Sequence, residues 1–315
     1  MKRIISLGVL IAAAALSMAL AQAQQDVIGI KLVKVRNNLY IITGGRQMPT
    51  EGGIAGNTTV FIADSGVVLV DTKYPGYGRT ILDQVRSITS KPVTTIVNTH
   101  THNDHVGSNT EFPRSVEFVV QENTRANMMR MDNFKGEKAS YLPKRTFKDR
   151  LSLLGGKDRI DLYYFGKGHT DGDTVLLFPS LRVAVMGDLF ARKWAPLVDA
   201  MYGGSMVAFP ETLRKAADTL KDVDTIITGH ATTTHGTGRG TTFTPSSPLM
   251  KPADLREYAE FMRAFEAAAE AAMKAGKSVD EAAGSLKLPA TFKDYDMANA
   301  KADVQRVYDE LKPAR

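Results

Sequence analysis

Three apolar, β-branched runs in this 315-residue chain each end on a side chain that can bind a cation: KPVTTIVNTH (91–100) on His100, LRVAVMGD (181–188) on Asp188 and VDTIITGH (223–230) on His230. Runs of this length and composition read as strands, and the end of a strand is where a sheet opens into loops. A fold that accommodates all three lays distant segments side by side so that their ends converge. The first run continues into NTHTHNDHVG (98–107), which packs His100, His102, Asp104 and His105 into six positions of a chain with only six histidines.

The rest of the chain supplies the layers such a site needs. KLVKVRNNLYIIT (31–43) and NTTVFIADSGVVLVDT (57–72) read as hairpins turning at Asn37-Asn38 and at Asp64-Ser65-Gly66. Between them GGRQMPTEGGIAGN (44–57) is glycine-rich with little to pack, the pattern of a mobile loop. YGRTILDQVRSIT (77–89) puts Ile81, Leu82, Val85 and Ile88 on one helical face. The second half repeats this style, with strands at RIDLYYFG (159–166) and TVLLFP (174–179) and a helix at PETLRKAADTL (210–220). ATTTHGTGRGTTFTPSSP (231–248) reads as a loop. From Pro252 to Gly276 a helix carries Leu255, Tyr258, Met262, Phe265 and Ala269 at helical spacing, and a Ser278/Glu281 capping box opens another. The expected division is a main α/β domain over 24–276 and a helical extension over 277–315 packed on it.

Lys2 and Arg3 precede an Ala-rich apolar run, Ile4 to Leu20, followed by Ala21-Gln22-Ala23, the small-x-small pattern of a cleaved leader. Residues 1–23 therefore read as a signal peptide, and the mature chain as periplasmic or secreted. The run is short for a bilayer span, and with no Cys there is no lipid attachment, so no membrane anchor is expected after cleavage. An exported chain without Cys rests on its core rather than on disulfides, and any metal site must use His and carboxylate. The formal charge of +6 includes Lys2 and Arg3, and no Lys/Arg run is interleaved with aromatics. Nothing marks a nucleic-acid partner; a small molecule is expected.

Outside the cluster stand His169 in GKGHTDGD, His230, and His235. His169 and His230 occupy glycine-flanked turns after strands, where a metal ligand belongs and a surface patch would not recur. In His100-x-His102 both imidazoles can enter one cleft, while Asp104 and His105 face an adjacent position, so the spacing suits two metals. Imidazole and carboxylate suit zinc, with iron or manganese as alternatives. His235 reads as a loop residue, and Asp171 and Asp173, flanking a Gly, as turn residues. Trp194 and Tyr202, after Asp188, fit either a cleft wall or packing.

His-x-His-x-Asp-His, a later His, a strand-terminal Gly-Asp and a final Gly-His together resemble the metallo-β-lactamase superfamily across nearly all of the mature chain. The resemblance implies a four-layer αββα sandwich with two metals at one edge. It implies His100, His102 and His169 on the first metal, Asp104, His105 and His230 on the second, and Asp188 bridging both. Asp71 matches a position that supports the histidine loop, and Asp104 is expected to orient the nucleophile. The implied activity is dinuclear zinc hydrolysis, in which hydroxide attacks an ester, lactone, thioester or amide carbonyl. Lactamases of the superfamily typically carry Cys or Ser where this chain has Asp188; thioesterases and lactonases carry the Asp. Three alternatives stay open: a periplasmic β-lactam hydrolase, an iron enzyme like the persulfide dioxygenases, and a non-enzymatic metal-binding protein.

Overall fold

The computed structural model describes residues 29–46, 54–235 and 242–312. The leader read at 1–23 lies outside them, as does the middle of the glycine-rich stretch, residues 47–53. Among the described residues no helix is long and apolar enough to cross a membrane.

Both hairpins form where the turn residues place them: β1 (Lys31–Arg36) with β2 (Leu39–Thr43), and β3 (Thr58–Ala63) with β4 (Gly66–Val70). The chain then crosses through α1 (Gly78–Arg86) to β5 (Val93–Val97), and onward through α2 (Asn103–Val106) to β6 (Glu117–Gln121), α3 (Glu122–Met128) and β7 (Arg145–Phe147). These strands make a seven-stranded sheet in sequence order, and β4 through β7 run parallel. The second sheet takes β8 (Arg150–Leu153), β9 (Ile160–Tyr164), β10 (Thr174–Phe178), β11 (Val183–Val185), β12 (Thr225–Ile227) and β15 (Leu249–Met250), in the order β15-β12-β11-β10-β9-β8. Its helices are α4 (Phe209–Thr219), α5 (Pro252–Lys274), α6 (Val279–Gly284) and α7 (Ala300–Leu311).

The layers follow from the two-residue period of a strand. In β4, Val68 and Val70 point at the second sheet and meet Leu162, Leu176, Phe178 and Ile227. Val67 and Leu69 point the other way, onto Ile81 and Val85 of α1. All five β4 residues are buried because both faces of the strand are covered. On the outer face of the second sheet, Val175, Ala184 and Ile226 pack under Leu213 of α4, Tyr258, Phe261 and Phe265 of α5, and Val304 and Val307 of α7. The result is the expected αββα sandwich, with the C-terminal helices sharing the core of its second half.

One expectation fails. The stretch 231–248 is not all loop: Thr232–His235 (β13) pairs antiparallel with Thr242–Pro245 (β14). Its Thr residues are β-branched and favour extended backbone, which outweighs the Gly and Pro around them.

The C-terminal helices carry a cost that shows in pH. Asp303 of α7 is 2% exposed, its Oδ2 has no hydrogen-bond partner among the described residues, and burial pushes its carboxyl up to about 8. A carboxyl raised on folding stabilises fully below its unfolded pKa near 3.9 and loses that contribution as pH climbs through about 8. Asp303→Asn is therefore expected to leave stability unchanged near pH 4 and to gain on the order of 2–4 kcal/mol at pH 8. Denaturant unfolding of both proteins at the two pH values checks this; an equal difference at both would contradict it.

Candidate metal centre

The strands set the site. β5, β11 and β12 end at Val97, Val185 and Ile227, and His100, Asp188 and His230 each follow three residues later, on the same edge of the sandwich. β5 sits in the first sheet between parallel neighbours, and β11 and β12 are parallel in the second, so the C-terminal ends of both sheets open together. His102 precedes the single turn of α2, which carries Asp104 and His105, and His169 lies in the turn between β9 and β10.

All seven side chains singled out in the sequence meet here. Their ligand atoms form three overlapping groups, each within 4.8 Å: His100, His102 and His169; His100, His105 and Asp188; and Asp104, His105 and His230. Asp188 stands between the outer two, its Oδ2 3.2 Å from His230 Nε2 and 3.7 Å from His169 Nε2, its Oδ1 3.5 Å from His105 Nε2.

The hydrogen bonds around the cluster fix how each imidazole presents itself. Asp71, at the end of β4, accepts from the Thr99 amide at 2.8 Å and the Thr99 hydroxyl at 2.7 Å, and its Oδ2 lies 2.8 Å from His105 Nδ1. A carboxylate only accepts, so His105 carries its proton on Nδ1 and turns the Nε2 lone pair inward. The Thr99 hydroxyl, spent on Asp71, can only accept from His100 Nδ1 at 3.0 Å, which leaves His100 Nε2 facing inward too. His169 Nδ1 lies 2.5 Å from the Leu197 carbonyl and His102 Nε2 2.8 Å from Asp199 Oδ2. The inner nitrogens of this second pair, His169 Nε2 and His102 Nδ1, then face each other at 2.9 Å as two lone pairs. His100 Nε2, His105 Nε2 and Asp188 Oδ1 are buried with no partner among the described residues. Orphaned acceptors turned on one point repel one another unless something electropositive lies between them, and divalent cations fit that need.

The electrostatics divide the histidines, keeping His100 and His169 neutral and favouring a charged His105. Burial, reinforced by three neighbouring imidazoles, drives His100 well below the usual histidine range, and burial with His102 brings His169 down to about 4. Burial opposes charge on His105 as well, but Asp104, Asp188 and Asp71 outweigh it and raise that ring well above the usual range. Burial would likewise raise Asp188, yet His230 and His105 hold it well below an ordinary carboxyl.

The supporting shell is tightly built. Asp71 and Lys73 both adopt the left-handed region, at φ 64° and 63°, which costs a non-glycine residue about 1 kcal/mol or more and marks a site where packing overrides local preference. Lys73 is fully buried and donates to the carbonyls of Ile42 at 2.9 Å, Gly44 at 3.0 Å and Gly56 at 2.7 Å, fastening both stems of the glycine-rich stretch beside the centre. Desolvation brings its ammonium down to about 7. Gly229 passes so close to the cluster that a Cβ there would lie 1.9 Å from Asp188 Oδ1. Asp199 and Lys73 escaped the sequence reading; the visible trace of Lys73 was its place two residues past Asp71 in DTKY.

The chain belongs to the metallo-beta-lactamase superfamily. The family model matches residues 52–242, more than half of the chain. A metallo-beta-lactamase type 2 of Elizabethkingia meningoseptica is 28% identical over 166 residues, covering 52% of this chain and 63% of that protein. The alpha subunit of a 2,4-dinitroanisole O-demethylase from a Nocardioides species is 31% identical over 159 residues, covering 49% of this chain and 44% of that one. The matches thus span less than two thirds of either relative. Among solved structures, a metallo-beta-lactamase from Pontibacter korlensis aligns with a TM-score of 0.59 at 19% identity over 74% of this chain and 99% of its own. Membership and the structural alignment agree with the αββα sandwich as its fold.

Beside the cluster lies a cleft of about 280 Å³, bounded by His102, Asp104, Asp188 and His230 on one side and by Tyr74, Trp194 and Asn299 on others. Trp194 thus lines the cleft. Tyr202 instead packs against the His102 ring at 5.8 Å, with the Arg130 guanidinium 5.6 Å from its ring centre. Asp171 and Asp173 hold the turn, Asp173 accepting from the Thr170 amide and hydroxyl and Asp171 from Asn127 Nδ2. The His235 side chain falls outside the described residues. A larger cavity of about 410 Å³ near Arg114 and Tyr141 contains none of the seven.

Proposed function

We propose that this superfamily member is a two-zinc hydrolase of a small substrate with an ester, lactone, thioester or amide carbonyl, acting in the periplasm or outside the cell. His100, His102 and His169 would hold one cation and Asp104, His105 and His230 the other, with Asp188 shared between them. When bound, two such cations supply Lewis acidity and bring the pKa of water toward neutrality. The chain's own groups do the rest. Asp104, its Oδ2 3.4 Å from both His105 Nε2 and His230 Nε2, is the carboxylate placed to accept a proton from the attacking water and to orient it. Tyr74 lines the cleft, and its hydroxyl has no hydrogen-bond partner among the described residues, which leaves it able to donate to the substrate oxygen. Asp71 and Asp199 hold His105 and His102 from behind, so the acceptors are in place before substrate arrives.

The observation that carries this reading is the set of inward-facing atoms His100 Nε2, His105 Nε2 and Asp188 Oδ1, each buried and without a hydrogen-bond partner among the described residues. The zinc-loaded mature chain is expected to bind about two equivalents by elemental analysis and to hydrolyse a simple lactone, an acyl-homoserine lactone or a glutathione thioester in preference to a cephalosporin, with activity lost to a chelator and restored by zinc. A protein that takes up no metal, or whose turnover ignores the chelator, would defeat it. Dominant cephalosporin turnover would instead favour the β-lactam reading, and iron with oxygen uptake the dioxygenase one.

A further inference from the structure

The family model ends at residue 242, yet the metal cleft does not. Its far wall comes from the segment between α6 and α7, which brings Asp296 and Asn299 to the cleft alongside Arg192 and Trp194. That segment is sewn down: the Ala195 amide donates to the Asp296 carbonyl at 2.7 Å, Asn299 Nδ2 donates to the Ala195 carbonyl at 3.2 Å, and Trp194 and Asp296 form a parallel bridge. Tyr295 adds a hydroxyl donated to Glu257 at 3.1 Å, and the same carboxylate accepts from Lys193.

Arg192 is the cation at this end of the cleft. Its guanidinium lies over the Trp194 ring at 3.7 Å, and its side chain is only 13% exposed. Alone, so confined a guanidinium beside a metal cleft would be a receptor for a substrate carboxylate. It is not alone. Asp296 Oδ2 stands 3.8 Å from it, too far for a hydrogen bond and close enough to cancel its field, while Asp296 Oδ1 accepts from the Ala298 amide at 3.0 Å and cannot swing away freely.

We infer that Asp296 is a specificity residue: by occupying Arg192 it makes the far end of the cleft electrically neutral and selects substrates that carry an amide, hydroxyl or other uncharged polar group there over those that carry a carboxylate. This rests on the hydrolase reading and narrows its substrate class. β-Lactams, which bear a carboxylate beside the scissile ring, fall in the disfavoured class.

Two probe pairs test it. The first is a pair of chromogenic esters, p-nitrophenyl butyrate and mono-p-nitrophenyl succinate, compared by kcat/KM on the zinc-loaded protein. The second needs no turnover: 3-mercaptopropionamide and 3-mercaptopropionate, thiols that anchor on zinc and differ only in the tail, compared by calorimetry. The wild-type protein is expected to prefer the neutral member of each pair. Asp296→Asn, isosteric and able to keep the Ala298 bond, should move both ratios about tenfold toward the carboxylate, the scale of one unit charge at roughly 8 Å in a partly screened site. Arg192→Gln should move them the other way by a similar factor, which keeps the test decisive if one variant fails to fold. Ratios unmoved by either substitution, or a wild-type preference for the carboxylates, would overturn the inference. If neither ester is turned over while the thiol ratios shift as stated, the hydrolase reading of these esters fails and Asp296 keeps its role.

Discussion

Asp188→Ala is expected to fold, to bind one zinc equivalent in place of two, and to lose on the order of a thousandfold in kcat. The geometry sets each part of that result. Asp188 alone reaches toward both sides of the cluster, with one oxygen near His230 and His169 and the other near His105. Removing it leaves three histidines on one side and a carboxylate with two histidines on the other, and the two sides no longer share a ligand. A second cation of the proposed pair, worth several kcal/mol to the transition state, would then be held poorly, and about 4 kcal/mol corresponds to a thousandfold in rate. The side chain takes no backbone amide as partner, so circular dichroism and the melting transition of the metal-free protein should change little. Two tightly held equivalents in the variant would refute the shared role.

Asp71→Ala should be worse for the fold and less absolute for the chemistry. Asp71 does not line the metal cleft, but three donors end on it: the Thr99 amide, the Thr99 hydroxyl and His105 Nδ1. The alanine leaves buried donors with no acceptor and frees the tautomer of His105, so a loss of about 3 kcal/mol in stability and roughly 10- to 100-fold in zinc affinity is expected. Chelator competition and denaturant unfolding measure the two separately. Asp71→Asn distinguishes structure from electrostatics: an amide oxygen can still accept from Thr99, so stability should recover in part, while His105 loses its anionic partner and metal affinity should not. Full recovery of both would mean that Asp71 acts only as a spacer.

Much of this was legible in the chain because strands and their ends are written locally. Alternating apolar residues and turn pairs placed both hairpins, and the position of a ligand just past each strand needed only the run's length. The short strands were not legible: β7 has three residues and β8 four, too few to show a period. The shell behind the ligands was partly hidden for another reason: Asp71 has a recognisable place in a motif, whereas Asp199 and Lys73 act through backbone carbonyls and a histidine far away in sequence, and Asp296 meets Arg192 only because a terminal segment folds back over a hundred residues.

The order of the strands has one more consequence. Every strand of the first sheet lies before Lys148 and every strand of the second after Asp149, so each sheet is an uninterrupted stretch of chain, joined to the other at a single crossing. The cluster is split along the same line, with His100, His102, Asp104 and His105 on one side of the crossing and His169, Asp188 and His230 on the other. Opened there, the protein would become two fragments that each hold an incomplete coordination set and an uncovered sheet face. Their rejoining would be a metal-gated complementation, with a bound ion serving as the rivet between two half-molecules.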